Sequence, residues 1–177
     1  MLQMDEKLVE IVERWRDNAA DFVKECLGAI PTPQQSQALA AVSQPGARVS
    51  ITSGHGTGKS TLFAWIIYWA VCCFYDVKVA VTAPTSHQLT DILWAEVGKW
   101  LDNMLEPWKS EICIKADKVT LNGSIGFAVA RTSRRENPEA LQGFHAKHMI
   151  FLIDEASGIP EAVFEAAQGS LSTVGSR

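Results

Sequence analysis

The chain has little of what a metal-built, disulfide-built or membrane-built protein needs. There are four cysteines among 177 residues, at positions 26, 72, 73 and 113, and no Cys-x-x-Cys. The four histidines, at 55, 87, 145 and 148, do not join them at any zinc-ligand spacing. Buried, reduced thiols in a cytosolic protein are the expectation. The N-terminus carries acids where a signal peptide needs a basic stretch before an apolar run. The longest apolar stretch, Leu62 to Tyr75, is shorter than the roughly 20 residues that span a bilayer. No repeat and no low-complexity tract is visible. Excess positive charge is missing too: 16 Lys and Arg against 20 Asp and Glu give a net charge of −4, which excludes a strongly basic nucleic-acid clamp. A local basic patch remains compatible with that total.

What is present is a globular composition, 47% hydrophobic and 20% charged, with length for one domain and its own core. Leu8, Ile11, Val12, Trp15, Ala19, Phe22, Val23 and Leu27 recur at helical spacing. They predict one helix over residues 5–27, capped by Asp5 and ended by Gly28. Pro31 and Pro33 break the pattern, and a second helix is expected from Gln34 to Val42. Short strands are read at 49–52 and 77–83, and an amphipathic helix over 86–105 with Ser86 as its cap. Strands at 111–115, 118–121 and 124–130 follow, the last two turning at Asn122-Gly123. Residues 131–143 read as a polar loop, 148–153 as a buried strand, and Pro160 opens a short helix to about Gln168. The alternation predicts an α/β fold with a mainly parallel sheet flanked by helices.

The strongest signal is Ser53-Gly54-His55-Gly56-Thr57-Gly58-Lys59-Ser60, between the strand at 49–52 and an apolar helix. That is the setting of a phosphate-binding loop. Glycines let the backbone approach a phosphate closely, and the loop N–H groups with the helix N-terminus supply donors and partial positive charge. Lys59 is the expected β,γ-phosphate contact and Ser60 the expected Mg²⁺ ligand. Ser53 stands where such loops usually begin with glycine. The second signal is Met149-Ile150-Phe151-Leu152-Ile153-Asp154-Glu155, an apolar strand tipped by two carboxylates. Ligands of parallel α/β sheets bind at that edge. Asp154 is the expected holder of Mg²⁺, and Glu155 the residue that orients or deprotonates an attacking water.

With these motifs stand Thr32-Pro33-Gln34-Gln35, Val79 to Thr85, Pro138 to His145, and Glu165 to Thr173. Together they resemble the ATPase motor domain of phage large terminase subunits, over positions 32 to 173. The resemblance implies a P-loop fold of the additional-strand, catalytic-glutamate class. It would comprise an N-terminal helical segment over 1–30, an incomplete ATPase domain over 31–177 and no nuclease domain. It further implies ATP and Mg²⁺ as cofactors, Gln35 as the adenine-reading glutamine, and the loop from Ser53 through Thr61 as the nucleotide contact. Ser172-Thr173 would be the coupling motif. An arginine acting in trans is also implied. Gln142 stands where many terminases carry one, so Arg131, Arg134 and Arg135 are the nearby alternatives, with Arg131 first. Implied partners are double-stranded DNA, the small terminase subunit, the portal and a homo-oligomeric ring in the host cytoplasm. Three functional readings stay open: a DNA-packaging ATPase, a helicase-like ATPase, and a nucleotide-binding remnant without turnover. A small-molecule kinase lacks support, because Glu155 suits water activation and no lid-like arginine cluster follows.

Overall fold

Asn18 breaks the first helical stretch in two. Its side chain accepts from the Ala20 and Asp21 N–H groups, ending α1 (Glu6–Asp17) and capping α2 (Ala19–Cys26). A capping side chain competes for backbone donors that a continuous helix would use internally, so one expected helix becomes two. The structure is a computed structural model and describes residues 6–54, 56–132 and 146–170. The proposed cap Asp5 therefore lies outside the described residues. Gly28, at φ 63°, ends this helical pair as expected.

Helix α3 (Pro33–Val42) begins at Thr32 with a reciprocal capping box and has proline in its first turn. The chain then runs through 47–54 without regular secondary structure or ladder pairing. This departs from the strand expected at 49–52. Val49 and Ile51 are 44% and 42% exposed there. Alternating apolar residues make a strand only where a neighbouring strand meets their N–H and C=O groups, and no described strand lies alongside.

Helix α4 (Lys59–Cys73) is apolar all round, and from Ala64 to Cys73 every residue is buried. Such a helix needs cover on all sides. It packs against α1, α2, α5 (Ala95–Leu101) and one face of the sheet. Trp69 Nε1 donates to Trp15 O at 2.7 Å, and the Tyr68 hydroxyl donates to Val97 O at 2.6 Å. The helix expected over 86–105 is present but compound: a π-helical stretch, Gln88–Trp94, leads into α5. A short α6 (Trp108–Glu111) follows.

The sheet contains β1 (Val77–Thr82), β2 (Ile112–Ile114), β3 (Lys118–Leu121), β4 (Phe127–Ala130) and β5 (His148–Ile153). Its order is β2-β3-β4-β1-β5. β1 pairs in parallel with β4 and β5, while β3 pairs antiparallel with β2 on one side and β4 on the other. The Asn122-Gly123 hairpin thus extends the main sheet. Alternation divides β1 between two layers. Val77, Val79 and Val81 join the core beneath α4, whereas Ala80 packs with Ile159 and Val163 beside α7 (Glu161–Ser170). Helices therefore cover both faces, the three-layer arrangement of an α/β domain.

Candidate nucleotide site

The glycine loop is held open by its own polar atoms. Gly56 and Gly58 take φ of 71° and 81°, a region in which a side chain is strained. Ser53 is not among the positive-φ residues, so the position needs no glycine, and its hydroxyl meets the Thr57 hydroxyl at 2.8 Å. Thr57 Oγ1 donates to Gly54 O at 3.1 Å. Lys59 folds back along the loop and donates to Gly54 O at 2.8 Å and Ser53 O at 3.3 Å. These are weak carbonyl partners for an ammonium, which exchanges them readily for phosphate oxygens. Gly58 is the N-cap of α4 and offers no side-chain cap. The helix's first N–H groups are left as donors for an anion.

Beside the loop lies a cavity of about 340 Å³, lined among others by Thr32, Gln34, Ala38, Ile51, Lys59 and Leu62. Its walls join α3, the 47–54 stretch and the start of α4. Gln35 also lines it, but both ends of its amide are taken up within the chain: Oε1 accepts from Thr32 N–H at 3.0 Å, and Nε2 donates to Gly58 O at 3.1 Å.

The carboxylates stand at the C-terminal end of β5. Asp154 N–H donates to Thr82 O at 2.9 Å, extending the parallel ladder by one residue and fixing Asp154 at the rim. Burial raises the Asp154 carboxyl above its ordinary value, and the neighbouring Glu155 charge adds to this. The Glu155 N–H that it accepts and the Lys59 ammonium oppose it. Lys59 is thus close enough to act on the Asp154 charge. Glu155 takes φ 52° and ψ 48°, the left-handed region, and is the one non-glycine residue described there. That conformation costs a side-chain-bearing residue about 1–2 kcal/mol. Strain of this kind concentrates at functional positions.

Arg131 follows β4, and its N–H donates to Val81 O at 2.9 Å, so it leaves the sheet at the same edge as Asp154. His55, Arg134, Arg135, Gln142, Ser172 and Thr173 lie outside the described residues. Thr61, expected among the nucleotide contacts, turns its hydroxyl to the α4–α5 interface and donates to Glu96 Oε1 at 2.7 Å. The same oxygen accepts from Trp100 Nε1 at 2.8 Å. Burial opposes the Glu96 charge, but these hydrogen bonds together with the Lys99 ammonium, 3.7 Å away, outweigh it and hold the carboxyl below its usual range. Sequence reasoning missed Glu96. The signal was there: an acid at a stripe position, three residues after Leu93 and four before Trp100.

Magnesium requires oxygen donors and commonly takes only one or two from protein, the rest coming from water and phosphates. The half-buried Asp154 carboxylate and the Ser60 hydroxyl in the first turn of α4 fit that donor set. Among the described residues no cluster of three or more His, Cys, Asp or Glu forms a cage of its own. No described helix is long and apolar enough to cross a membrane.

Residues 50–174 match the family model described as RNA cytidine acetyltransferase NAT10/TcmA, helicase domain. A probable terminase large subunit of Enterobacteria phage P7 is 31% identical over 172 residues, which is 90% of this chain and 35% of that protein. The chain thus spans about a third of that curated relative's length. Among solved structures, the ATPase domain of the Thermus phage P74-26 large terminase superposes with a TM-score of 0.61 at 20% identity, covering 88% of this chain and 65% of that one. The large terminase of the thermophilic bacteriophage D6E, in complex with ADP, gives 0.53 at 17% identity, over 71% and 31%. These likenesses show the P-loop NTPase fold. The chain belongs to the family that the helicase-domain model describes, and its recognised likeness is to the ATPase domain of phage terminase large subunits.

Proposed function

We propose that this chain is an Mg²⁺-dependent ATPase domain that powers DNA packaging as part of a terminase large subunit. The reading rests on the glycine loop with Lys59 at the head of α4 and on Asp154 and Glu155 at the tip of β5, with Lys59 close enough to act on the Asp154 charge. Lys59 would release the Ser53 and Gly54 carbonyls and contact the β- and γ-phosphates. The N–H groups of the loop and of the first turn of α4 would hold the remaining phosphate oxygens. Ser60 and Asp154 would hold magnesium, which when bound lowers the repulsion between substrate charge and an incoming nucleophile. Glu155 would accept a hydrogen bond from the attacking water and take its proton as the bond to the γ-phosphorus forms. Arg131 is the first choice for the arginine that completes a neighbouring subunit's site in a ring. Ser172 and Thr173 would relay loss of the γ-phosphate.

The likeness to the P7 relative and the ADP held by the D6E terminase support nucleotide use by this fold. Double-stranded DNA, the small terminase subunit, the portal and a homo-oligomeric ring are the corresponding partners, and the host cytoplasm the compartment. The helicase-domain match keeps a second reading in view, a helicase-like DNA-dependent ATPase. The test is phosphate release from Mg-ATP by this chain beside Glu155→Ala, with nucleotide binding measured on both. Binding in both and turnover only in the first is expected. Equal turnover overturns the role of Glu155. Binding without turnover in either identifies a nucleotide-binding unit that does not hydrolyse ATP alone.

A further inference from the structure

We propose that Gln35 is a positioning residue of the phosphate loop, whose amide ties the Gly58 carbonyl to the start of α3. Affinity for the triphosphate itself would then depend on a side chain outside the loop. The proposal rests on the nucleotide-site reading above.

Three observations carry it. Gln35 is 8% exposed, and its amide bridges two backbone groups, with Oε1 accepting from Thr32 N–H and Nε2 donating to Gly58 O. Only this orientation works, because an N–H requires the amide oxygen and a carbonyl requires the NH₂ group. Second, the bridge is anchored: Thr32 Oγ1 accepts from Gln35 N–H at 3.3 Å, which completes the capping box of α3. Third, the approach to the loop is tight. A Cβ on Gly58 would lie 2.7 Å from Gln35 Nε2, and Gly58 is at φ 81°. Glycine is needed there both for its conformation and to admit the amide.

The consequence follows from peptide planarity. The Gly58 carbonyl and the Lys59 N–H belong to one trans peptide and point in opposite directions. Fixing the carbonyl toward Gln35 therefore aims the Lys59 N–H away from it. That N–H is one of the donors that the first turn of α4 leaves without a helical partner. The same carbonyl accepts from Leu62 N–H at 3.0 Å, so the amide also fixes the first hydrogen bond of the helix. The base would meanwhile meet the apolar Ala38, Ile51 and Leu62 walls and the exposed Gln34.

Inorganic tripolyphosphate separates this role from base reading, because it has no base. Affinities of Mg-ATP and tripolyphosphate are to be measured for the wild-type chain, Gln35→Met and Gln35→Glu. Gln35→Met removes both arms without adding charge. Both affinities are expected to fall by the same factor, about tenfold for one lost hydrogen bond that also frees a peptide plane. Gln35→Glu restores the capping box but offers no donor to Gly58, so neither affinity is expected to recover. A loss confined to Mg-ATP overturns the proposal in favour of a base contact. Recovery of tripolyphosphate affinity in Gln35→Glu also overturns it, since the cap alone would then suffice. A wild-type chain that binds neither ligand overturns the nucleotide-site reading, and this proposal with it. Thermal melts of the three proteins show that each is folded.

Discussion

The two ends of α4 are built on opposite principles. Its body, from Ala64 to Cys73, is buried throughout and held by packing, with Trp69 and Tyr68 each bonded to a backbone carbonyl of another helix. Its N-terminal end, from Gly58 to Thr61, is half-buried and makes polar contacts: Gln35 on Gly58, Lys59 on its own loop, Thr61 on Glu96. Close-packed apolar contacts resist displacement, whereas polar contacts near water exchange at little net cost. A loop with the proposed role of taking up and releasing a phosphate chain needs the second kind. It keeps its position because the first kind lies directly behind it.

That contrast breaks first in the body. Trp69→Ala removes a fully buried indole and its bond to Trp15 O. A loss of about 3–5 kcal/mol is expected, measured by denaturant unfolding. At the loop the effect moves from stability to binding. Lys59→Ala is expected to weaken Mg-ATP about a hundredfold in a fluorescence titration, with unfolding unchanged. A large fall in stability there would erase the distinction between the two ends.

Glu96 sits at the seam between them. Glu96→Ala leaves the Thr61 hydroxyl and Trp100 N–H without their acceptor. An unfolding cost of about 1–3 kcal/mol is expected. The Glu96 carboxyl is held below its ordinary value, so its stabilisation is present above the unfolded value near 4.5 and is lost as pH falls through the lower folded value. The difference between wild type and Glu96→Ala is therefore expected to shrink in acid. Asp154 gives the smallest effect and the opposite sign. Its carboxyl is raised by burial, so the folded chain binds the proton more tightly than the unfolded one does. Asp154→Asn is expected to melt slightly higher than wild type at pH 7. The gain should vanish as pH falls through the raised value toward the ordinary one of 3.8.

Much of this was legible in residue order. The helix after Pro33, the apolar α4 and the strand run of β5 read correctly because each depends on local chemistry: a break, a turn, a periodicity. The stretch at 49–52 read as a strand because alternation looks the same whether or not a partner strand is present. Asn18 was hidden within a continuous apolar stripe, since a helix break that keeps the stripe in phase does not disturb periodicity. The Thr61–Glu96 and Gln35–Gly58 hydrogen bonds cross 35 and 23 residues of chain, and no local pattern pairs those partners.

Residue order alone decided that this chain carries a glycine loop before an apolar helix and a carboxylate-tipped strand, because glycine, lysine and apolar runs act through their nearest neighbours. Tertiary structure decided how those parts meet. It put Lys59 within electrostatic reach of Asp154, turned Thr61 away toward Glu96, and closed the Gln35 amide on Gly58. Hydrogen bonds and charges act through space, and only the packing of α3, α4 and the sheet sets those distances.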